Sequence, residues 1–495
     1  MDGNPGVARR ALFLTACLVL LFALAACGGG GGDDGGEGTP SPVAGTTTPS
    51  GGTATPSGGT ATPSAGTATP SGGTVEITVW HHEVASNLDT IQDLARRFNN
   101  SQSEVKVKLA FQGSIGEHVI KVLASAQGGD LPTIDYMDEV YAQRLIDTGA
   151  FRPVQDFVDQ EGYDLSDDFD PKVIQYYTVD GKLWAMPIAI AVPLLFYNKI
   201  PFREAGLDPE NPPQDLDEVM EASRMMVKRD SHGNVMRAGF ALDVDSWRAE
   251  VTLAEHGDLF LNNGNGRDAR ATEVSFNGPT GQALFRWWQD MIKEGLAINV
   301  GRNPSGADNL LPLGSGQIVM TWASSAALRS VVDILGGGLT QTPVDLGIAG
   351  APGVPGGTRQ TATYSRGLWL AKDRPQAEQE AAWKFIKWLM EPEQQAEWFA
   401  GTGYLPVRNS SYDLPAAQEI MARYPGFRVA KDMFQASPVT PATLGPLLGP
   451  FVEVRDVVCD AIEAIVLQDK DPKEALDDAA KEANQIIDDY NERVE

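Results

Sequence analysis

His82-Glu83-Val84-Ala85-Ser86 begins as a zinc-protease helix does, but Ser86 stands where the second histidine of the metal pair would have to be. The sequence holds no Gly-x-Ser-x-Gly elbow, no phosphate-binding P-loop and no calcium-binding EF-hand loop. Its five histidines include one adjacent pair, His81-His82, and no ligand cluster. Carboxylates are plentiful enough for a glycosidase pair, which spacing alone does not establish. What the sequence does offer is aromatic residues at the ends of strand-like runs and on irregular segments: Trp80, Tyr136, Trp247, Trp322, Tyr364 and Tyr404. At the mouth of an α/β sheet such rings face the crevice where ligands bind. A flat ring packs on the apolar face of a sugar while polar neighbours take its hydroxyls. Trp287, Trp288, Trp383, Trp388 and Trp398 lie inside amphipathic helical patterns and read as core. The chemistry indicated is binding, with no cofactor, no metal and no turnover.

The elements that must position these rings begin at Val75. Val75, Ile77 and Val79 alternate as in a strand; Ser86 is expected to cap a helix with Leu88, Ile91, Leu94, Ala95 and Phe98 on one face. Val105, Val107, Leu109 and Phe111 alternate again, helix-like residues run to Ala126, and Thr133-Ile134-Asp135 starts a third strand. Strand–helix alternation of this kind implies an α/β fold with a parallel sheet and crossover helices. Ala189 to Tyr197 is an apolar strand interrupted by Pro193, which suits a crossing between two lobes better than a central strand. Helical patterns cover 214–228, 246–260 and 279–294; Ile318–Thr321 and Gly367–Leu370 read as buried strands. The last quarter is helical, over Ala381–Met390, Pro392–Ala400, Phe451–Leu467 and Pro472–Arg493. No linker interrupts 75–495, so this body reads as one or two interwoven α/β domains.

The stretch before it is different. Arg9 and Arg10 precede the apolar run Ala11–Ala26, which is too short for a membrane span and has the layout of a secretory signal. Leu24-Ala25-Ala26-Cys27 resembles a lipobox, in which Cys27 becomes the lipidated first residue of the mature chain. Residues 1–26 are therefore expected to be a signal peptide, and 27–74 the lipidated Cys with a disordered tether. In the tether TTTPSGG, TATPSGG, TATPSAG and TATPSGG follow one another over 46–73 with no large apolar residue to repay ordering. As a flexible coil it spans roughly 35–40 Å. Cys17 leaves with the signal and Cys459 reads as a small core residue, so three cysteines give neither a disulfide framework nor a Cys-rich metal site. With 39 Lys+Arg against 66 Asp+Glu, the net charge of −27 argues against nucleic acid and anionic lipid as partners.

Signal, lipobox and tether, then Thr78-Val79-Trp80-His81 and a helix ending Arg96-Arg97-Phe98-Asn99, make the chain resemble bacterial extracellular solute-binding proteins of ABC importers, the maltose-binding-like family 1. Leu195-Phe196-Tyr197-Asn198-Lys199 before Ala205-Gly206-Leu207-Asp208-Pro209 strengthens the likeness, as does Gly316-Gln317-Ile318-Val319-Met320 before Trp322-Ala323-Ser324-Ser325. Glu391-Pro392-Glu393 before Thr402-Gly403-Tyr404-Leu405-Pro406-Val407, with Leu448-Gly449-Pro450 and Arg455, resembles the glycerol-3-phosphate-binding branch most. The resemblance covers essentially all of 75–495.

It implies a two-lobe periplasmic-binding-protein-like fold, with interleaved lobes joined by hinge crossings near Val192–Leu195, Thr321–Ser324 and Leu368–Ala371. The lobes are expected at 75–191 plus about 325–368, and at 192–324 plus about 369–495. That branch's ligand contacts carry over to Glu139, to Ser324 or Ser325, to Tyr404 and to Arg455. Trp80, His81, Trp247, Trp322, Tyr364 and Ser365 complete the expected cleft. Ile115, Ile190 and Ala191 stand where the branch has a tyrosine and serines, and Tyr364 and Ser365 where it has glycines. The lost hydroxyls favour a polyol, glycerophosphodiester or small saccharide over glycerol 3-phosphate; the leading expectation is a carbohydrate or polyol, with a glycerol-3-phosphate or glycerophosphodiester receptor, and then a surface-tethered glycoside hydrolase, as alternatives. The implied protein is a monomer that delivers its solute to ABC permease subunits from the outer face of the cell membrane or the periplasm. Its lipid anchor is its one membrane contact.

Overall fold

The computed structural model describes residues 73–166, 168–303, 308–335 and 343–494; the expected signal, Cys27 and nearly all of the tether lie outside them. The alternation at Val75, Ile77 and Val79 forms β1 (Val75–His81), and helical crossovers lead to β2 (Val105–Phe111) and β3 (Ile134–Asp138). Short β4 (Phe151–Arg152) follows, then a hairpin of β5 (Thr178–Val179) and β6 (Lys182–Leu183), then β7 (Ala185–Ala191) and β8 (Pro193–Asn198). β9 (Lys228–Arg229), β10 (Val235–Val244), β11 (Ala297–Arg302), β12 (Ile318–Ser324), β13 (Leu346–Gly350) and β14 (Tyr364–Ala371) complete the strands of the described residues.

Two sheets result. The first runs β2-β1-β3-β14-β4, with β7 also paired to β14; the second runs β11-β10-β12-β8-β13, with β9 on β10. In the first, β1 is parallel to β2 and β3, whereas β14 is antiparallel to β3, β4 and β7. In the second, β10 is parallel to β11 and β12, and β8 lies antiparallel between β12 and β13. Parallel strands covered on both faces need apolar side chains throughout, and Ile318–Ala323 of β12 is buried residue by residue.

The helix Ala85–Ser101 buries Ile91, Leu94, Ala95 and Phe98 against the first sheet, with Leu88 at the margin. Ser86 does not cap it: the helix begins at Ala85, and the Ser86 hydroxyl instead meets that of Ser330 at 2.9 Å. The next helix, Ile115–Gly128, has a full capping box, Ser114 and Glu117 satisfying each other's backbone N–H.

The chain passes from the first sheet to the second at Val192, between β7 and β8, with Pro193 at the first residue of its strand, where its missing N–H is tolerated. It returns after Ser324, because the helix Leu328–Leu335 packs on Ala85–Ser101 and Pro392–Thr402. Beyond that point the connectivity differs from expectation. Leu368–Ala371 is no crossing: it is the paired end of β14, bonded to β3 and β4. The crossing is the Gly- and Pro-rich segment 351–363 between β13 and β14. β13, expected in the first lobe, pairs with β8 of the second sheet. Trp369–Ala371 and the helices Gln376–Leu389 and Pro392–Thr402, expected in the second lobe, belong with the first sheet. The helices Phe451–Gln468 and Pro472–Val494 do pack with the second sheet's helix Pro279–Lys293. Short apolar runs show that a strand exists, not which sheet accepts it.

Candidate ligand-binding site

Parallel β1 and β3 end side by side, and antiparallel β14 starts at the same edge, with Arg366 opposite Asp138. This topology gathers Glu83, Asp138, Glu139, Tyr364, Ser365 and Arg366 at one rim of the first sheet. Arg366 pairs with both Glu83 and Asp138, its side chain about one-sixth exposed. Its guanidinium lies 5.7 Å from the Tyr136 ring centroid and 5.3 Å from that of Tyr404. Glu139 receives a hydrogen bond from the Ser365 backbone N–H at 3.1 Å.

The second sheet presents the opposing rim. β10 ends at Val244, and the helix Trp247–His256 starts directly beyond it. The Trp247 ring meets that of Tyr364 edge-on at 5.2 Å. One turn further on, Glu250 accepts two bonds from Arg455, at 2.8 and 2.6 Å, and a third from the Ser246 hydroxyl at 3.1 Å. Behind Trp247, Arg248 forms a fork with Asp243 at 3.0 Å on both arms and donates to the Trp322 carbonyl at 3.1 Å. The Tyr176 hydroxyl lies 3.1 Å from both the Glu139 and the Pro446 carbonyls and shares its one hydrogen between them.

The electrostatics follow from this crowding. Burial, reinforced by the Asp138 charge, pushes the Glu139 carboxyl up to about 8 against the opposing pull of Arg455. Glu139 therefore holds its proton to higher pH than an ordinary carboxyl, and in that form can donate a hydrogen bond. Asp138 goes the other way: burial would raise it, but Arg366 and then His82 hold it far below the usual carboxylate range. Burial alone would weaken the Arg455 charge; Glu250 and then Glu139 more than reverse that. Paired charges and two meeting rings are groups able to hold a solute by hydrogen bonds and ring contact. Among the described residues no cluster of three or more His, Cys, Asp or Glu could hold a metal ion.

A family model described as bacterial extracellular solute-binding protein matches residues 93–428. This chain belongs to that family. The sn-glycerol-3-phosphate-binding periplasmic protein UgpB of Pectobacterium atrosepticum is 29% identical over 418 residues, covering 83% of this chain and 91% of the relative. Its namesake from Escherichia coli K12 is 28% identical over 417 residues, 83% and 92% of the two chains. Among solved structures, the cyclic α-maltosyl-1,6-maltose-binding protein of Arthrobacter globiformis superposes with a TM-score of 0.65 at 25% identity, over 84% of this chain and 99% of that one. UgpB of Mycobacterium tuberculosis in complex with glycerophosphocholine superposes with a TM-score of 0.70 at 22% identity, over 84% and 100%. The fold is thus that of the maltose-binding-like proteins. No helix among the described residues is long and apolar enough to cross a membrane.

In this solute-binding protein the residues expected in the cleft divide. Glu139, Trp247, Tyr364, Ser365 and Arg455 come together as described, and Tyr404 lies beneath Arg366, stacked on Trp398 at 6.0 Å. Trp322 does not reach the cleft: it is core of the second lobe, stacked on Trp287 at 5.6 Å and edge-on to Phe240. Ser325 is fully buried and spends its hydroxyl on the Val192 N–H at 3.1 Å, stitching two crossings together. Ser324 accepts from the Ala326 N–H at 3.2 Å and so caps the turn that follows it. His81 is buried with Nδ1 accepting the Glu83 N–H at 3.2 Å, and burial pushes it down to about 4. Trp80, half-buried, packs 6.3 Å from His118 behind the rim.

Sequence reasoning missed Arg366, Asp138, Glu83 and Glu250, which the structure places beside the expected residues. A lone arginine inside the otherwise uncharged run Tyr364–Ala371 was the available signal for the first, since a buried charge demands partners.

Proposed function

We propose that this solute-binding protein captures a neutral carbohydrate or polyol between its two rims and passes it to the permease of an ABC importer. It does so as a monomer held to the outer face of the membrane through lipidated Cys27 and the tether. No bond-breaking role is assigned. The observation that carries the reading is the state of the cleft arginines. Arg248, Arg366 and Arg455 are each already matched to carboxylates: Asp243, then Glu83 with Asp138, then Glu250. A phosphate would have to displace one of these partners, whereas a hydroxyl can accept from the remaining N–H groups and donate to the carboxylate oxygens. Protonated Glu139 adds a donor, and Trp247 with Tyr364 supplies ring surface. The maltose-type ligands in the names of structural neighbours support the same class.

A second reading is a glycerophosphodiester with a cationic head group. It is favoured by the excess of carboxylates beside the Trp247–Tyr364 rings and by the names of the sequence relatives. A thermal-shift screen over saccharides, polyols, glycerol 3-phosphate and glycerophosphocholine separates the two. A solute at a hundred times its Kd adds about 2.7 kcal/mol of stability. The main reading expects the largest shift from a neutral saccharide or polyol, unchanged by salt. It fails if glycerol 3-phosphate gives the largest shift and salt abolishes it.

A further inference from the structure

Solute binding as described makes no use of the face where the lobes meet outside the cleft, yet that face is built from charged groups. The short helix Ala142–Asp147 follows Glu139 in the first lobe, and the second lobe's helix Phe451–Gln468 carries both Arg455 and Glu453. Arg144 Nη2 donates to both Glu453 oxygens, at 2.7 and 2.8 Å, and its Nε donates to the Gly449 carbonyl at 3.0 Å. Asp147, its side chain only 5% exposed, accepts from the Tyr490 hydroxyl at 2.8 Å and from Arg270 at 3.1 Å. The Arg144 guanidinium lies 5.4 Å from the centroid of the same Tyr490 ring. Arg270 belongs with Tyr490 in the second lobe: Asn491 donates to the Ala271 carbonyl at 3.0 Å, and the Val274 N–H to Asn484 at 2.8 Å. These contacts of Arg144 and Asp147 therefore all cross from one lobe to the other.

The joint is polar, and solvent reaches it. The Glu453 side chain is 45% exposed. A cavity of about 510 Å³ opens beside the pair, walled by Leu123 and Thr148 of the first lobe and by Arg493 and Val494 of the second. Water can therefore replace each bond as it breaks, whereas an apolar joint would lose its contacts outright. The chain also leaves room for the close approach, since a Cβ on Gly449 would lie 2.1 Å from the Tyr490 ring. In the same structure Trp247 of the second lobe meets Tyr364 of the first at 5.2 Å, so the joint is made while the rims are together.

We propose that Arg144 and Asp147 of the first lobe, with Glu453, Tyr490 and Arg270 of the second, form a latch that holds the two rims together before any solute arrives. Solute then meets a population already closed, and its apparent affinity scales with the latched fraction. Loosening the latch weakens every solute by the same factor, whereas a change inside the cleft sorts solutes by their charge and shape. The latch residues are positioning residues, acting on solute only through the separation of the rims. The latch rests on the two-lobe arrangement and not on the class of solute.

The test is fluorine NMR on the full mature chain, without solute, labelled with 5-fluorotryptophan and with Trp247→Phe to assign the rim signal. Glu453→Gln and Tyr490→Phe should each move the Trp247 signal toward its solvent-exposed position. The double variant should move it furthest, the ratio of latched to unlatched protein falling roughly threefold to thirtyfold. High salt should move the wild-type signal the same way, because the Arg144–Glu453 pair is open to screening. The Trp322 signal, from the core of the second lobe, should stay in place and so report an intact fold. Glu294→Gln breaks a pair of similar exposure, with Arg224, inside the second lobe and should leave Trp247 unmoved. Should the double variant fail to fold, the single variants and the wild-type response to salt decide. A Trp247 signal indifferent to the substitutions and to salt, one that moves toward a more buried position, or one moved as far by Glu294→Gln would each overturn the latch. No solute is added, so a wrong ligand class leaves these readings unchanged.

Discussion

Replacing Glu250 by Gln tests the reasoning about the arginines most directly. The Glu250 side chain is fully buried and that of Arg455 about one-quarter exposed, with two charge-assisted bonds of 2.8 and 2.6 Å between them. Deleting one partner of a buried pair costs about 3–5 kcal/mol. Gln keeps the shape and one acceptor, so about 2–3 kcal/mol is expected, seen as a Tm several degrees lower. The freed guanidinium stays at the rim beside Glu139 and becomes available to an anion. Glycerol 3-phosphate, which must evict Glu250 from the wild type, should then bind roughly 5–30-fold tighter, equivalent to about 1–2 kcal/mol. A neutral saccharide should change by less than about threefold, as its hydrogen bonds carry no net charge to match. Calorimetry on both proteins with both solutes, at low and high salt, reads all of this. Salt should erase the gain for the anion and leave the saccharide alone. If wild type already binds glycerol 3-phosphate tightly and Glu250→Gln weakens it, Arg455 is not neutralised in the way proposed.

Four further outcomes are expected. Glu139, at about 8 in the folded protein against 4.5 as its ordinary value, binds more protons folded than unfolded across that window. Stability should therefore fall as pH rises from about 5 to 8, and urea titrations of Glu139→Gln should show that slope reduced. Tyr364→Ala or Trp247→Ala should weaken solute binding by about 1–3 kcal/mol with a smaller change in Tm, read by calorimetry and melting together. Trp322→Ala should do the reverse, costing about 3–5 kcal/mol of stability through the cavity left between Trp287 and Phe240, while any protein that folds keeps its affinity. Cys27→Ala should abolish partitioning into detergent, because stable anchoring needs more than one acyl chain; unchanged partitioning and mass would refute lipidation there.

The strands and helices that were read were legible because each side-chain pattern has one period, two for β1 and β2 and 3.6 for the helix Ala85–Ser101, whereas β10, β11 and β13 of the second sheet were not read. Pairing was less so. β13 and β14 are both short apolar runs, yet β13 finds β8 of the second sheet and β14 finds β3 of the first. That choice is made by strands far away along the chain, whose complementarity leaves no local mark. The rings divided for a related reason. Trp247 and Trp322 both stand near the ends of β-strands, but Trp247 opens a helix at the rim whereas Trp322 is still inside paired β12, opposite Leu195. Alternation then turns Trp322 onto Trp287. Arg455 and Glu139 were found through resemblance; the Arg455 partner Glu250 was not, since a carboxylate becomes a partner only once the fold is closed.

A binding protein has to hold its solute firmly and still release it, and the paired arginines serve both needs. Because Glu83, Asp138 and Glu250 already fix the Arg366 and Arg455 side chains, little rotamer entropy is lost when a solute arrives, so weak neutral hydrogen bonds suffice for affinity. The same pairing caps the attraction any single group can exert, because each positive charge is met by a negative one before the solute enters. An unpaired arginine would instead grip an anion strongly, and that anion's departure would leave a desolvated charge behind. The surrounding chain points the same way: with −27 net charge it repels anions at long range and leaves neutral solutes unsteered. On the proposed reading, selectivity for neutral solutes is built from the counter-ions of the arginines as much as from the groups that touch the solute. Removing a carboxylate such as Glu250 should change which solute binds before it changes how tightly a saccharide is held.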